Sequence, residues 1–254
     1  MAVRQYVLQE TNWKNVKETD FELALLPWGA TEAHNYHLPY GTDNIETEKI
    51  AEESAKRAWE RGAKVIVLPI IPFGVNTQQL DIKMTINMNP TTQAQILTDV
   101  MVSLEGHGIN KLVILNGHGG NDFCQMIREL QRKTTIFLCT VSWFSIKRNI
   151  NIFDEPGDHA GEMETSLMMY LRNDLLRPIE EAGSGSAMSF KIDGFKKGWA
   201  WAPRNWTQVT KDTGVGNPKK ATKEKGKKFF ETVVDEISNF LIDLAHSNPN
   251  ELYA

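Results

Sequence analysis

Short apolar runs alternate with amphipathic stretches along most of the chain. Four runs of mainly apolar residues predict buried strands, at residues 21–27, 64–68, 111–115 and 134–141. Helical periodicity between and after these runs predicts five main helices, at residues 44–61, 90–107, 121–132, 161–171 and 222–245. Strands that alternate with helices predict an α/β fold with a mostly parallel central sheet, covered by helices on both faces. We expect a single domain over residues 1–254.

The composition excludes several other classes of protein. Of the 254 residues, 41% are hydrophobic and 24% are charged, which is typical of a globular domain. No apolar run approaches the roughly 20 residues that cross a bilayer, and the first residues lack the pattern of a signal peptide. The formal net charge of −4 gives no reason to expect nucleic acid or a membrane surface as a partner. We therefore expect a cytoplasmic protein.

Histidines and carboxylates collect directly after the predicted strands. They lie in three segments, residues 28–43 (WGATEAHNYHLPYGTD), 116–121 (NGHGGN) and 158–166 (DHAGEMETS). These segments contain four of the six histidines of the chain. Ligands of open parallel sheets bind beyond the carboxyl ends of the strands, so we expect the three segments to meet at one edge.

Histidine and carboxylate side chains together bind zinc, manganese or iron(II). Glu32 and His34 are two residues apart, so in an extended backbone they point the same way. The turn before Asp43 could bring its carboxylate beside them. His118 lies between glycines, where the backbone can approach a ligand closely.

The first turn of the fourth predicted helix carries two acids whose directions differ. Glu162 and Glu164 are about 200° apart on a helix, so only one of them is expected to face the metals. The glycine loop adds a different possibility, because the amides of Gly119 and Gly120 suit an anion or a developing oxyanion. A non-catalytic protein that binds a phosphate or nucleotide is thus an alternative. The carboxylates argue against it, since they would repel an anion unless metals neutralised them.

The three segments together resemble the creatininase family of creatinine amidohydrolase-like metal hydrolases. The matching pieces are PWGATEAH (27–34) with HLPYGTD (37–43), NGHGGN (116–121), HAGEMETS (159–166) and TGVGNP (213–218). The resemblance implies a three-layer α/β/α sandwich, a binuclear metal centre and hydrolysis of a C–N bond. It also implies a homo-oligomer, with a hexamer favoured.

The resemblance assigns roles to individual residues. The implied metal ligands are Glu32, His34, Asp43, His118 and Glu162. Asp43 would bridge two divalent ions, with zinc as first choice and manganese or iron as alternatives. His34 and Glu162 would complete one site, and Glu32 and His118 the other. His159 would transfer a proton, with Glu162 beside it in the catalytic set.

Two departures from the family pattern concern the substrate. Creatininase proper takes a glutamate ligand two residues after the loop histidine, where this chain has Gly120. Residues 73–80 (FGVNTQQL) stand where many members carry Ser-x-Glu-His. We expect the substrate pocket to be lined by Phe73, Asn76 and Gln78, by the tryptophan-rich stretch 199–206, and by the Gly119–Gly120 amides. The expected activity is hydrolysis of a small cyclic or linear amide, creatinine itself being doubtful. Deformylase or peptidase activity at the same centre is an alternative.

Overall fold

A computed structural model describes residues 3–149 and 151–253. Its main sheet has four parallel strands in the order β2-β1-β3-β4. The strands are β1 (Leu23–Trp28), β2 (Val65–Val67), β3 (Lys111–Asn116) and β4 (Phe137–Ser142). β1 and β3 are buried along their whole length, as expected for the centre of a sheet covered on both faces. The predicted parallel sheet is thus confirmed.

Helices cover both faces of this sheet. The helices are α1 (Trp13–Lys17), α2 (Thr42–Glu60), α3 (Pro90–Gly106), α4 (Cys124–Leu130), α5 (Glu162–Arg172), α6 (Asp193–Lys196), α7 (Trp206–Val209) and α8 (Lys223–His246). One apolar core joins the sheet to α2, α5 and α8, and a second joins it to α3 and α4. The three-layer sandwich brings the carboxyl ends of β1 and β3 to one edge.

The terminal helix α8 is the main support of the layer that carries the site. Thr222 caps it by accepting a hydrogen bond from the Lys225 N–H. Its apolar face buries Phe229, Val233 and Ile237 against α2 and α5. The position of α5, and of the acids in its first turn, therefore depends on a helix some 60 residues further along the chain.

Helix α4 begins later than the sequence pattern predicts. The pattern places its start near Asn121, but the helix begins at Cys124, and after Leu130 it continues as a 3-10 turn. The Asn121 side chain instead donates to the Asn116 side chain and accepts from the Val75 N–H. These bonds fix residues 121–123 as part of the loop.

Two further strands lie outside the main sheet. β5 (Gly157–His159) and β6 (Val215–Gly216) form an antiparallel pair that the sequence pattern did not predict. The pair joins the segment before α5 to the segment before α8, and so places His159 at the edge where β1 and β3 end. No helix among the described residues is both long enough and apolar enough to cross a membrane.

Candidate metal centre

Six ionisable side chains from three separate segments converge at the carboxyl edge of the sheet. They form three overlapping groups whose potential ligand atoms lie within 4.8 Å of one another: Glu32, Asp43 and His118; His34, Asp43 and Glu164; Glu32, His34 and His159. Five of the six side chains belong to residues that are buried, and Glu164 is half-buried. The three segments singled out in the sequence therefore do meet.

Asp43 is the centre of the cluster. Its Oδ1 lies 3.0 Å from Nε2 of His34, and its Oδ2 lies 3.1 Å from Nδ1 of His118. The residue is in the first turn of α2, where the helix dipole stabilises a carboxylate. One carboxylate thus faces two imidazoles with two different oxygens, which is the arrangement a bridging ligand needs.

Each of the three imidazoles is oriented by a backbone carbonyl. Nδ1 of His34 lies 3.1 Å from the Glu32 carbonyl oxygen, and Nε2 of His118 lies 3.0 Å from that of Val75. Nε2 of His159 lies 2.8 Å from the carbonyl of Ala33. A carbonyl can only accept, so each of these nitrogens carries the proton. In neutral imidazole the other nitrogen is then an acceptor, as is usual for metal-binding histidines.

The free imidazole nitrogens face carboxylate oxygens. Besides its contact with Asp43, Nδ1 of His118 lies 3.1 Å from Oε1 of Glu32, and Nδ1 of His159 lies 3.6 Å from the same oxygen. Acceptors that face acceptors in a buried site repel each other unless a cation lies between them. The donor set of imidazole nitrogen and carboxylate oxygen fits a divalent transition metal.

The pKa values of the metal-free cluster lead to the same conclusion. Burial alone would lower the pKa of His34, but the carboxylates of Asp43 and Glu32 raise it to about 10. His118 behaves alike: burial opposes its charge, yet Glu32 and Asp43 move its pKa well above the usual value. Burial would raise the pKa of Asp43, but the neighbouring histidines hold it below its usual range. The cluster thus takes up positive charge, as protons when no metal is bound.

Glu162 does not lie with this cluster, contrary to the sequence-based expectation. Its Oε2 accepts hydrogen bonds from the backbone N–H groups of Asp154 (2.9 Å) and Glu155 (2.7 Å). Its Oε1 is paired with the ammonium group of Lys225 on α8. The side chain is fully buried and turned away from the histidines. The expectation is corrected: Glu162 fastens α5 to α8 and to the preceding loop.

Glu164 takes the position expected for Glu162. It lies two residues further along the helix, on the opposite face, and groups with His34 and Asp43. Burial raises the pKa of its carboxyl, although His34 and His159 oppose this rise. Its Oε2 also accepts from the backbone N–H of Ala160. Ala160 has a positive φ of 51°, so this bond helps to hold a strained residue directly after His159.

The glycine loop after β3 is packed too tightly for larger residues. A Cβ on Gly117 would lie 1.6 Å from Oγ1 of Thr47, and one on Gly120 would lie 2.4 Å from Nε2 of His118. Gly119 faces open space. Glycine at 117 and 120 therefore lets the loop bring His118 against α2 and the 75–79 segment.

The cavity over the cluster has a volume of about 250 Å³. Of the residues expected to line it, Gln78, Gly119 and Gly120 do so. Phe73 and Asn76 are not among its described lining residues. The Asn76 side chain is buried and donates to the carbonyl of Ile86, so it holds the loop together.

Several lining residues were not singled out by the sequence analysis. Gln79, which donates to Oε2 of Glu32, and Arg204 are two of them. Asp158 and Trp206, which lie in segments that the sequence analysis did point to, also line the cavity. The 173–220 region has no periodicity that would have marked Arg204. Trp206 is buried beside His159 at a ring distance of 5.2 Å, whereas Trp199 and Trp201 are largely exposed.

His37 lies next to the cluster without joining it. Its Nε2 lies 2.9 Å from Oγ1 of Thr165, and burial, with His34 as a second cause, lowers its pKa to about 4. It packs the loop after β1 against α5.

Comparison with known proteins shows relatives over nearly the whole chain. The creatininase family profile, described as creatinine amidohydrolase, matches residues 9–241. A mycofactocin precursor peptide peptidase from Mycobacterium ulcerans (strain Agy99) is 25% identical over 84% of this chain and 81% of its own. A creatinine amidohydrolase from Pseudomonas putida is 24% identical, with coverage of 85% and 86%.

Solved structures agree with this result. A crystal structure from Bacteroides fragilis NCTC 9343, provisionally assigned as a creatinine amidohydrolase, is 39% identical, covers both chains completely and has a TM-score of 0.93. A manganese creatininase has the same fold at 21% identity, with a TM-score of 0.78 over 95% of this chain and 99% of its own. The chain therefore belongs to the creatininase family, whose members are metal-dependent hydrolases of amide C–N bonds.

Proposed function

We propose that the chain hydrolyses the C–N bond of a small cyclic or linear amide at a binuclear metal centre, in which Asp43 would be a ligand shared by both ions. The observation that carries the proposal is the orientation of the three imidazoles. Each has one nitrogen tied to a backbone carbonyl and the other aimed at carboxylates that are themselves acceptors. Such facing acceptors attract positive charge, and divalent metal ions are the cations that imidazole and carboxylate ligands together favour.

We propose that the ligands are divided between two positions. Glu32, Asp43 and His118 would hold one ion, and His34, Asp43 and Glu164 the other. The division is the one that the resemblance implies, with Glu164 in place of Glu162. Oxygen and nitrogen donors of this kind accept zinc, manganese or iron, and zinc is our first choice. Ions bound here would supply an activated water at neutral pH.

His159 is the proposed proton donor. Its Nε2 is committed to the carbonyl of Ala33, so Nδ1 is the atom that can carry a proton to the leaving nitrogen. The ring is stacked on His34 at 4.2 Å and lines the cavity, within reach of a substrate above the cluster. Trp206 contacts the same ring edge to face, at a distance of 5.2 Å between ring centroids.

The Gly119 and Gly120 amides are proposed to stabilise the negative charge on the carbonyl oxygen. Both residues line the cavity, and neither N–H group is taken by another residue in the described part of the chain. Free backbone donors fixed in a tight turn can stabilise a developing oxyanion.

A panel of small amides, assayed with zinc-loaded and manganese-loaded protein, tests the proposal. We expect hydrolysis that stops on chelation and returns with metal. His159→Ala should lower kcat by about 10²–10⁴-fold and keep the bound metal. His107→Ala, which changes an exposed histidine at the end of α3, is the matched control. Loss of metal together with activity in His159→Ala would show that His159 is a ligand and would refute its role as proton donor.

Peptidase or deformylase activity at the same centre is the alternative. It is favoured by the similarity to the mycofactocin precursor peptide peptidase, which is as close in sequence as the creatinine amidohydrolase. The same amide panel separates these activities if it contains N-formyl compounds and dipeptides. Binding of a phosphate or nucleotide without catalysis is disfavoured, because Glu32, Asp43, Asp158 and Glu164 all line the cavity.

We also propose that the protein is a homo-oligomer, with a hexamer favoured by the family resemblance. The exposed rings of Trp199 (78%) and Trp201 (84%) support this proposal, because large exposed aromatic side chains are frequent at interfaces. Light scattering coupled to size exclusion measures the mass directly, and a monomer would refute the proposal.

A further inference from the structure

Within the described part of the chain, the cavity over the cluster is lined by one arginine, Arg204, and, apart from the histidines, its other ionisable side chains are acidic. Among the described lining residues, Arg204 is the one lysine or arginine, and it faces the same space as Glu32, Asp43, Asp158 and Glu164. None of the catalytic steps proposed above uses this guanidinium. A single arginine beside a reaction site is well suited to bind a negatively charged group of the substrate.

The Arg204 side chain is held in place by its neighbours, but only some of its hydrogen-bond donors have partners. Its guanidinium lies over the Trp206 ring at 4.5 Å, and Trp206 is itself fixed by donating to the Thr213 carbonyl at 3.0 Å. Only Nη1 is paired, with the Asp158 carboxylate at 3.1 and 3.4 Å. The other guanidinium nitrogens have no hydrogen-bond partner in the described part of the chain. An arginine fixed in this way retains one edge for a second, planar, bidentate partner.

The existing ion pair does not satisfy the guanidinium. The side chains of Arg204 and Asp158 are 36% and 56% exposed, and exposed pairs of this kind contribute little. A substrate carboxylate that enters the cavity would lose its bound water and could form two hydrogen bonds with the unpaired edge of the Arg204 guanidinium. This interaction should therefore contribute more binding free energy than the exposed ion pair with Asp158 does.

We propose that Arg204 binds a carboxylate on the leaving half of the substrate. The substrate class would then be an N-acyl amino acid or short peptide with a free carboxylate next to the cleaved amide. This inference rests on the proposed amidohydrolase function. It goes beyond that function in naming the part of the substrate that is recognised.

The short distance between Arg204 and His159 indicates that the carboxylate belongs to the half of the substrate that leaves with the nitrogen. Trp206 contacts both residues, with ring distances of 4.5 Å to the guanidinium carbon and 5.2 Å to the His159 ring. The guanidinium is thus within about 10 Å of the ring that protonates the leaving nitrogen. When the leaving group is one amino acid, its carboxylate carbon is two bonds from that nitrogen, and when the leaving group is a dipeptide the carboxylate is one residue further, about 3.8 Å. Both fit this span.

The reaction balances without another reactant. Water adds its oxygen to the acyl carbon, the C–N bond breaks, and the nitrogen takes a proton to leave as the amine of the amino acid. A dianionic phosphate in the same place is disfavoured, because a single arginine edge would face two charges beside four acidic side chains.

Matched substrate pairs test the proposal on metal-loaded protein. The pairs are N-formyl-L-alanine and L-alanyl-L-alanine, each compared with its C-terminal carboxamide. We expect kcat/KM to be about 10–100-fold higher for the acids. Arg204→Gln should bring this ratio close to one, and Arg204→Lys should give an intermediate ratio, because lysine keeps the charge and loses the fork.

The control variant is Lys197→Gln. It removes a positive charge from the same region, at a side chain that is 67% exposed and paired with Asp193. It should leave the acid-to-amide ratio at the wild-type value. If it lowers the ratio as much as Arg204→Gln does, the preference comes from overall charge and the proposal is overturned.

The outcomes separate this inference from the proposed function. Equal cleavage of acids and carboxamides, or an equal loss on both in Arg204→Gln, overturns the inference and leaves the amidohydrolase standing. Absence of hydrolysis for every amide tested with metal-loaded protein overturns both.

Discussion

The Glu162 carboxylate offers a direct check on the corrected assignment of the two acids in α5. Glu162→Ala would leave two backbone N–H groups, those of Asp154 and Glu155, without their acceptor, and would leave a void beside α8. An orphaned donor costs about 1–3 kcal/mol when it is buried. Asp154 and Glu155 are exposed or half-buried, so water can partly replace the lost acceptor. We expect the free energy of unfolding to fall by about 2–4 kcal/mol.

The assay is thermal unfolding of metal-loaded protein followed by circular dichroism. For a chain of this size, the expected loss corresponds to a decrease in Tm of about 4–16 °C. Glu162→Gln is the matched control, because its amide oxygen can still accept from the loop and its volume is unchanged. It should lose clearly less stability than Glu162→Ala. A Tm unchanged in Glu162→Ala, with bound metal lost, would refute the reasoning and restore Glu162 as a ligand.

Two further predictions concern the glycine loop and a buried acid. Gly117→Ala should lower the free energy of unfolding by about 1–3 kcal/mol or more, because its Cβ would overlap Oγ1 of Thr47. Gly119 has open space around it, so Gly119→Ala should unfold like the wild type. Equal stability of the two variants in denaturant titrations would contradict this. Glu46 is fully buried, neither of its carboxyl oxygens has a hydrogen-bond partner among the described residues, and burial, then Glu164 and Asp43, raise its pKa well above the usual value. In the unfolded state the Glu46 carboxyl loses its proton above the ordinary glutamate pKa of about 4.3, whereas the folded state keeps this proton. As the pH rises above that value, the free energy of unfolding of the metal-free wild type should therefore fall by up to about 1.4 kcal/mol per pH unit relative to Glu46→Gln. Parallel stability curves for the two proteins from pH 4 to 8 would show that Glu46 ionises freely.

The layout of the fold was predictable because its signals are local. The apolar runs of β1 and β3 and the periodicity of α2 and α8 each lie within one stretch of chain, and Gly62 and Gly108 mark helix ends by their positive φ. The edge at which the chemistry collects followed from the rule for parallel sheets. The starting point of α4 did not, because it depends on hydrogen bonds that the Asn121 side chain accepts from Val75 and Gln93, 46 and 28 residues away.

The choice between Glu162 and Glu164 could not be made from the local pattern. Both acids suit the first turn of a helix, and their spacing shows only that they face opposite ways. What decides the matter is the rotation of α5 about its axis, which is set by packing against α8 and by the pairing of Glu162 with Lys225. That partner is 63 residues away, so no nearby pattern reveals it.

The substrate side of the site was the least predictable. Asn76 is of the right type for a pocket residue, but its side chain is used to bind the carbonyl of Ile86. Arg204 comes from a long region of short, irregular elements, and its stacking on Trp206 and its pairing with Asp158 hold it at the cavity. Specificity residues that are placed by tertiary packing in this way leave no spacing to recognise in the sequence.

The metal content of purified protein and four variants tests the central claim most directly. Elemental analysis after loading with zinc or manganese and removal of the excess should give about two ions per chain for the wild type. The content should fall in His34→Ala, His118→Ala and Glu164→Ala, and should stay at the wild-type value in Glu162→Ala. A chain that retains no metal, or one that loses it in Glu162→Ala but not in Glu164→Ala, would contradict the account.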